Sequence, residues 1–253
     1  MLKELLTLNI FGFFLIFARI GTAITVLPGF SSPFVNMRAR LGIALAISFV
    51  LGPILAQRLP GLPATMGGLG VLLVGEAVIG AFLGTMALVL MGSLQTAGTI
   101  IAYVSSMANA FIQDPIAQQQ SSLVAGFLST MGILVVFVTD THHLMLSALI
   151  DSYTLFVPGQ ELALGDIAEV IGRRVMDAFA LGVQLSPPLI ITGFVYYLGL
   201  GLLSRLMPAM QVFFIGLPIQ IAIQISVFSL TLSTIMLVFL TRFKEGYEVF
   251  LAP

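Results

Sequence analysis

The sequence predicts an all-α, polytopic membrane protein, and three observations carry that prediction. Of its 253 residues, 58% are hydrophobic and only 8% are charged, against roughly a quarter charged in soluble domains. Several charge-free runs are long enough to cross a bilayer, which takes about 20 apolar residues. Between them stand short stretches rich in proline, glycine and charge. Disorder is excluded, since it needs low hydrophobicity and high charge. A net charge of −1 supplies no basic patch for nucleic acid. The absence of cysteine excludes disulfides and thiolate metal sites.

The elements follow in order. Residues 5–28 make a first helix, interrupted by Arg19. Lys3 followed by an apolar run also fits a signal peptide. An uncleaved membrane helix is the preferred reading, because everything downstream is membrane-like. Residues 41–57 make a second helix, after Arg38 and Arg40. The stretch RLPGLPATM, 58–66, holds too much proline for a regular helix. Residues 77–113 carry no charge, and a run of that length predicts a helical hairpin or a long helix broken near Gly92. Residues 123–139 give another span. Residues 158–172 predict a loop with a short amphipathic helix, and 176–203 and 206–241 complete the set. The outcome is one bundle of about six or seven apolar segments, with no soluble domain, dividing linker or short-period repeat.

Many of these segments carry helix breakers. Pro187 and Pro188 lie inside 176–203, Gly199 and Gly201 near its end, and Pro208, Gly216 and Pro218 in the next run. Backbone groups freed in hydrocarbon must be satisfied by protein or by a water-filled cavity. Broken helices lining a cavity are therefore expected, with Arg205 hydrogen-bonded to carbonyls freed between Gly199 and Pro208. Gly80 and Gly84, with Gly92 further along the same register, predict close helix contact. Basic residues give no consistent orientation under a simple back-and-forth threading.

Candidate chemistry is sparse. An intramembrane charge is expensive, so Glu76 reads either as the internal partner of an arginine such as Arg19 or as a proton-coupling acid. His142 and His143 are the only histidines. Neighbouring helical positions diverge by about 100°, so a single-ion site is not expected, and Asp140 pairs more simply with His143 three residues on. No metal, no cofactor and no catalytic constellation is predicted, and the chain does not read as an enzyme.

Residues 105–122, SSMANAFIQDPIAQQQSS, interrupt the apolar pattern. The residue before a proline is pushed out of helical conformation, so Asp114-Pro115 predicts a turn. Met107, Asn109, Phe111 and Gln113 alternate apolar and polar around Ile112, and Gln118, Gln119 and Gln120 supply uncharged donors and acceptors. From the residues alone, the segment is either an exposed connector or a loop folded into the mouth of a pore.

Three further stretches carry a family resemblance. QTAGTIIAYVSSMANAFIQDP, FVTDTHHLMLSALIDSYTLFVPG and LGLGLLSRLMPAMQVFFIGLPIQI, together with the early PGFSSPFVNMRARLGIALAIS, resemble the FliR family of type III export-gate subunits. The resemblance runs in order over nearly the whole chain. It is most specific where GLLSR precedes Pro208, Gln211-Val212-Phe213, Gly216 and Pro218. It implies a single integral-membrane unit, with a FliP-like part over about 1–170 and a FliQ-like part over about 171–253. It implies FliP-like and FliQ-like membrane partners, a FlhB-like export switch protein, and unfolded polypeptides as substrates. It implies the bacterial inner membrane at the flagellar basal body as location, and a gate plug in residues 105–122. The family often has glycines and a glutamine where Ala102, Val104 and Ser106 stand, and Asn-Gly where Asp140-Thr141 stand. Fewer glycines mean less backbone freedom, so a stiffer plug is expected. A small-molecule or ion transporter coupled through Glu76 is the competing reading. It predicts repeated halves with matched helix breaks, and no such repeat is seen.

Overall fold

The computed structural model describes residues 2–33, 35–107, 111–113, 120–160, 162–207 and 212–251. Eight α-helices make up nearly all of it: α1 (Leu2–Val26), α2 (Met37–Leu55), α3 (Met66–Val104), α4 (Leu123–Val138), α5 (Thr141–Leu155), α6 (Leu164–Gln184), α7 (Pro187–Leu206) and α8 (Val212–Glu248). A 3-10 turn, Ala56–Arg58, follows α2, and two three-residue strands, β1 (Phe111–Gln113) and β2 (Gln120–Ser122), lie between α3 and α4. Four helices are long and apolar enough to cross a membrane: Met37–Leu55, Met66–Val104, Pro187–Leu206 and Phe214–Glu248. The all-helical membrane class is thus observed, with one small β ribbon added to it.

Several boundaries differ from the expectation. The 77–113 run is neither a hairpin nor a broken helix. Its residues 77–104 belong to α3, which runs unbroken for 39 residues through Gly92. At about 1.5 Å per residue this is roughly 58 Å, nearly twice the hydrocarbon thickness of a bilayer. One glycine weakens a helix by only about 1 kcal/mol, too little to stop so uniformly apolar a run. Residues 141–155, assigned to no span, form α5. The amphipathic stretch after residue 163 and the following apolar segment are one helix, α6.

The proline positions divide into two kinds. At Pro187 and Pro188 the chain does change helix: α6 ends at Gln184, Ser186 is the N-cap of α7, and the prolines fill its first turn. There the missing N–H groups have no intrahelical partner to lose. Gly201 and Pro218 do not break anything. Gly201 is a regular, exposed residue of α7, which continues to Leu206, and Pro218 sits inside α8. Gly216 is helical as well, and its role is contact.

The chain forms two compact units. The first comprises residues 1–89, 139–174 and 244–253, the second 90–138 and 175–243. In the first unit α1 buries one stripe, with Leu15, Ile16, Ile20, Ala23, Ile24 and Leu27 almost fully enclosed. That spacing of three to four residues is the inward face of an amphipathic helix. Gly80 and Gly84 of α3 press against this helix. A methyl group at Gly80 would lie 2.1 Å from the Arg19 carbonyl oxygen, and one at Gly84 2.7 Å from Val26 Cβ. In the second unit Leu94, Ala97 and Ile101 of α3 pack in a core with Val124 and Leu128 of α4 and Phe239 of α8. Gly98 brings α3 onto α4, since a methyl there would lie 2.3 Å from Ala125 Cα.

Candidate functional site

The polar segment is a hairpin whose two feet stand in the second unit. β1 and β2 pair antiparallel, Phe111 with Ser122, Ile112 with Ser121 and Gln113 with Gln120. This register closes on residues 114–119, where the Asp-Pro turn was expected. Asn109, Asp114, Pro115, Gln118 and Gln119 lie outside the described residues, as do Pro208 and Gln211.

The first foot is the end of α3. Ser106 adopts a left-handed conformation, φ 58°. Its N–H donates to the Tyr103 carbonyl at 3.3 Å, and the Met107 N–H reaches back to the Ala102 carbonyl at 2.9 Å. These two bonds make a Schellman cap, in which glycine usually fills the left-handed position. The expected loss of backbone freedom at Ser106 is therefore met by side-chain anchoring. The Ser106 hydroxyl lies 2.9 Å from the Tyr197 hydroxyl and donates to Gln220 Oε1 at 3.3 Å. Gln220 Nε2 in turn donates to the Val104 carbonyl at 2.9 Å. One amide of α8 thus holds both a free helix-end carbonyl and the residue that turns the chain. Ala102 is a buried helical residue with no need of positive φ. Val104 fits because α7 carries Gly193 opposite it, where a methyl would lie 2.2 Å from Val104 Cγ1.

The second foot is the start of α4. Ser122 closes β2 and caps the helix, its hydroxyl accepting from the Ala125 N–H at 3.1 Å, the usual N-cap arrangement. The same hydroxyl reaches the Gly98 carbonyl at 3.4 Å. Gly216 and Tyr196 support the floor: the Tyr196 hydroxyl donates to the Gly216 carbonyl at 2.6 Å, and a methyl at Gly216 would lie 2.7 Å from Leu200 Cδ2. Gly216 is therefore a close-approach residue of α8 against α7. Arg205 lies exposed in the last turn of α7 with no hydrogen-bond partner among the described residues, so the expected bonds to freed carbonyls are absent there. A cation at that end still complements the helix dipole.

Gln220 and Gln224 were missed in the sequence. Their signal was present: two amides four residues apart, hence on one face of a helix, inside the charge-free run 206–241. Gln224 is buried and donates from Nε2 to the Leu189 carbonyl at 3.3 Å.

The charged pair lies in the first unit. Arg19 and Glu76 are both buried, with Nε to Oε2 at 2.7 Å and Nη2 to Oε1 at 3.1 Å. Arg19 also donates to Ser152 Oγ at 3.1 Å and to the Phe156 carbonyl at 2.9 Å, and its guanidinium carbon stands 3.8 Å from the Tyr153 ring centre. Both Glu76 oxygens are thus engaged by one arginine that ties α1 to α3 and α5. At the other end of α5, Asp140, His142 and His143 each bring a ligand atom within 4.8 Å of the others. The divergence expected of neighbouring helical positions is offset at this helix start, where the two rings stand 4.2 Å apart. Asp140, at φ 55°, takes the left-handed turn, so Thr141 stands in the helix without needing glycine.

Long apolar helices and a polar hairpin rooted in them, with no catalytic constellation among the described residues, define a helical membrane protein. The chain belongs to the bacterial export proteins, family 1, whose family model matches residues 10–246. It is 36% identical to the flagellar biosynthetic protein FliR of Caulobacter vibrioides, over 93% of this chain and 94% of that one. It is 28% identical to FliR of Bacillus subtilis, over 93% and 92%. The Yop proteins translocation protein T of Yersinia pestis is 25% identical, over 88% and 86%.

Proposed function

We propose that this protein is a structural, gating subunit of a type III protein export apparatus. It joins FliP-like and FliQ-like membrane subunits, and a FlhB-like switch protein, in the bacterial inner membrane at the flagellar basal body. Unfolded flagellar polypeptides are its cargo. The greater similarity to FliR than to the Yop translocation protein supports the flagellar setting. Its FliP-like part covers about residues 1–170 and its FliQ-like part about 171–253.

The observation that carries the reading is the anchored hairpin. A closed export gate must hold back ions yet yield to a polypeptide. A segment of amides, hydroxyls and apolar side chains, with Asp114 its single charge, suits both tasks. Uncharged groups avoid the large desolvation cost of buried ions, and Asn109, Gln113, Gln118, Gln119 and Gln120 satisfy one another's donors and acceptors when closed. Met107, Phe111 and Ile112 supply the apolar seal, methionine adapting to irregular partners. Opening is a displacement or unpairing of the hairpin. Two three-residue strands make a weak ribbon, because an isolated hairpin is marginal in water. Pro187, Pro188, Gly201, Arg205, Gly216 and Pro218, with Pro208 and Gln211 in the sequence between α7 and α8, belong to the part of the chain that meets the partner subunits.

The transporter reading loses its main support, because both oxygens of Glu76 are taken by Arg19. Affinity purification from native membrane discriminates the two readings. The export reading expects two small membrane proteins to co-purify, and no solute flux through the purified chain alone in liposomes. Flux by the chain alone, without partners, contradicts it.

A further inference from the structure

Between the two feet of the hairpin the second unit carries an open cavity of about 560 Å³, with Leu123, Phe127, Thr130 and Ile225 exposed along it, within the range of small-molecule pockets. Its walls are almost wholly apolar: Ile101, Val124, Leu189, Ile225, and Phe127 set edge-on to Phe228 with ring centres 6.0 Å apart. Met107 and Leu123, one from each foot of the hairpin, complete the rim. Three polar residues also line it: Thr130, exposed and bonded to the Gly126 carbonyl, and Ser105 and Gln224, each about 1% exposed. Among the described residues, neither the Ser105 hydroxyl nor Gln224 Oε1 has a hydrogen-bond partner. The Gln224 amide cannot simply be turned round. Its nitrogen faces the Leu189 carbonyl, an acceptor, so the oxygen is left as the orphan. Gly193 leaves room for this amide, since a methyl there would lie 3.0 Å from Nε2. A buried acceptor without a donor is costly, and one set in an apolar pocket defines what should fill it.

We propose that this cavity binds a small neutral amphiphile. The ligand has an apolar body of one aromatic ring or a short alkyl chain, and one hydroxyl or amide N–H that donates to Gln224 Oε1. Ser105 supplies a second polar contact. A charged ligand is disfavoured, because no counter-charge lines the pocket among the described residues. A purely hydrocarbon ligand leaves the acceptor unpaired, and sites built around a buried polar group discriminate strongly against analogues that lack its partner. Because the rim takes one residue from each foot, a bound ligand braces Met107 and Leu123 together. The proposal concerns binding alone and stands whether or not the hairpin closes a gate.

The test uses the full chain in lipid nanodiscs with para-ethylphenol and para-ethyltoluene, which share one shape and differ by hydroxyl against methyl. The readout is slowed hydrogen exchange of the backbone at 105–107 and 122–127 as each compound is titrated. The phenol should protect at a concentration about tenfold lower than the toluene, the worth of one bond to a buried acceptor. Gln224→Leu should remove that preference, and Thr130→Trp, which fills the cavity, should abolish protection by both. Equal protection by the two compounds, protection by neither, or a preference that survives Gln224→Leu overturns the proposal. Should Gln224→Leu loosen the helices, seen as faster exchange across 189–193, Ser105→Ala carries the same comparison with a smaller expected loss. An unchanged preference in that variant, with binding intact in Thr130→Trp, is equally contrary.

Discussion

The Arg19–Glu76 knot and the foot of the hairpin are both polar clusters set in apolar helices, and they are built on opposite principles. The knot is ionic, bidentate and closed. Arg19 directs four of its five N–H donors to Glu76, Ser152 and Phe156 and stacks on Tyr153, and each Glu76 oxygen accepts one of them. The foot is neutral and held by single bonds through Ser106, Tyr197 and Gln220. A buried ion pair is hard to open, since separating it strands two charges in low dielectric. A neutral bond exchanged for one to water changes free energy by only about 1 kcal/mol. The first arrangement fixes helices in place; the second lets a segment leave and return.

Substitutions can break this comparison, and the largest effect belongs to the knot. Arg19→Leu leaves Glu76 buried and uncompensated, and should cost about 3–5 kcal/mol, read as a collapse of the thermal transition of the purified protein. The double change Arg19→Met with Glu76→Met should recover most of that loss. If the single variant melts normally, the pair holds nothing. Gly80→Val comes next. Its side chain meets the backbone of α1 at Arg19, and overpacking of this kind costs roughly 1–3 kcal/mol. The melt should fall, whereas Gly92→Val, where nothing lies within 4 Å, should change it little.

Effects at the foot should be smaller and local. Gln220→Leu strips the Val104 carbonyl of its donor and Ser106 of an acceptor. Hydrogen exchange at 105–107 should quicken by about tenfold, the equivalent of a bond worth about 1.4 kcal/mol, with no change around Arg19. Ser106 gives the finest distinction. Ser106→Gly relieves a left-handed strain of roughly 1–2 kcal/mol but forfeits the hydroxyl contacts, so it should be near neutral. Ser106→Ala keeps the strain and loses the contacts, and should be the less stable of the two by thermal melting. The reverse order would mean that the left-handed conformation of Ser106 carries no strain.

How much of this was legible in the sequence follows from the physics of each part. Membrane class followed from the charge deficit, and pairing of Glu76 with an arginine was one of two readings the cost of intramembrane charge allowed. The change of helix at Pro187-Pro188 was readable because two adjacent prolines remove two donors. Gly92, Gly201, Gly216 and Pro218 misled, because each acts against a long apolar helix whose remaining residues outweigh one weak position. At Gly216 the glycine serves contact with α7, which periodicity along a single helix cannot reveal. The strand register of Phe111–Gln113 against Gln120–Ser122 and the left-handed turn at Ser106 depend on partners far along the chain. So does the role of Gln220, 116 residues from the carbonyl it caps.

The central claim is that the hairpin closes a passage. It is tested most directly by the ion permeability of membrane vesicles holding the assembled complex with its partner subunits, with and without residues 110–118. With the full chain the vesicles should hold an imposed ion gradient. With the deletion, in complexes of unchanged composition, the gradient should collapse. A gradient that persists through the deletion contradicts the account.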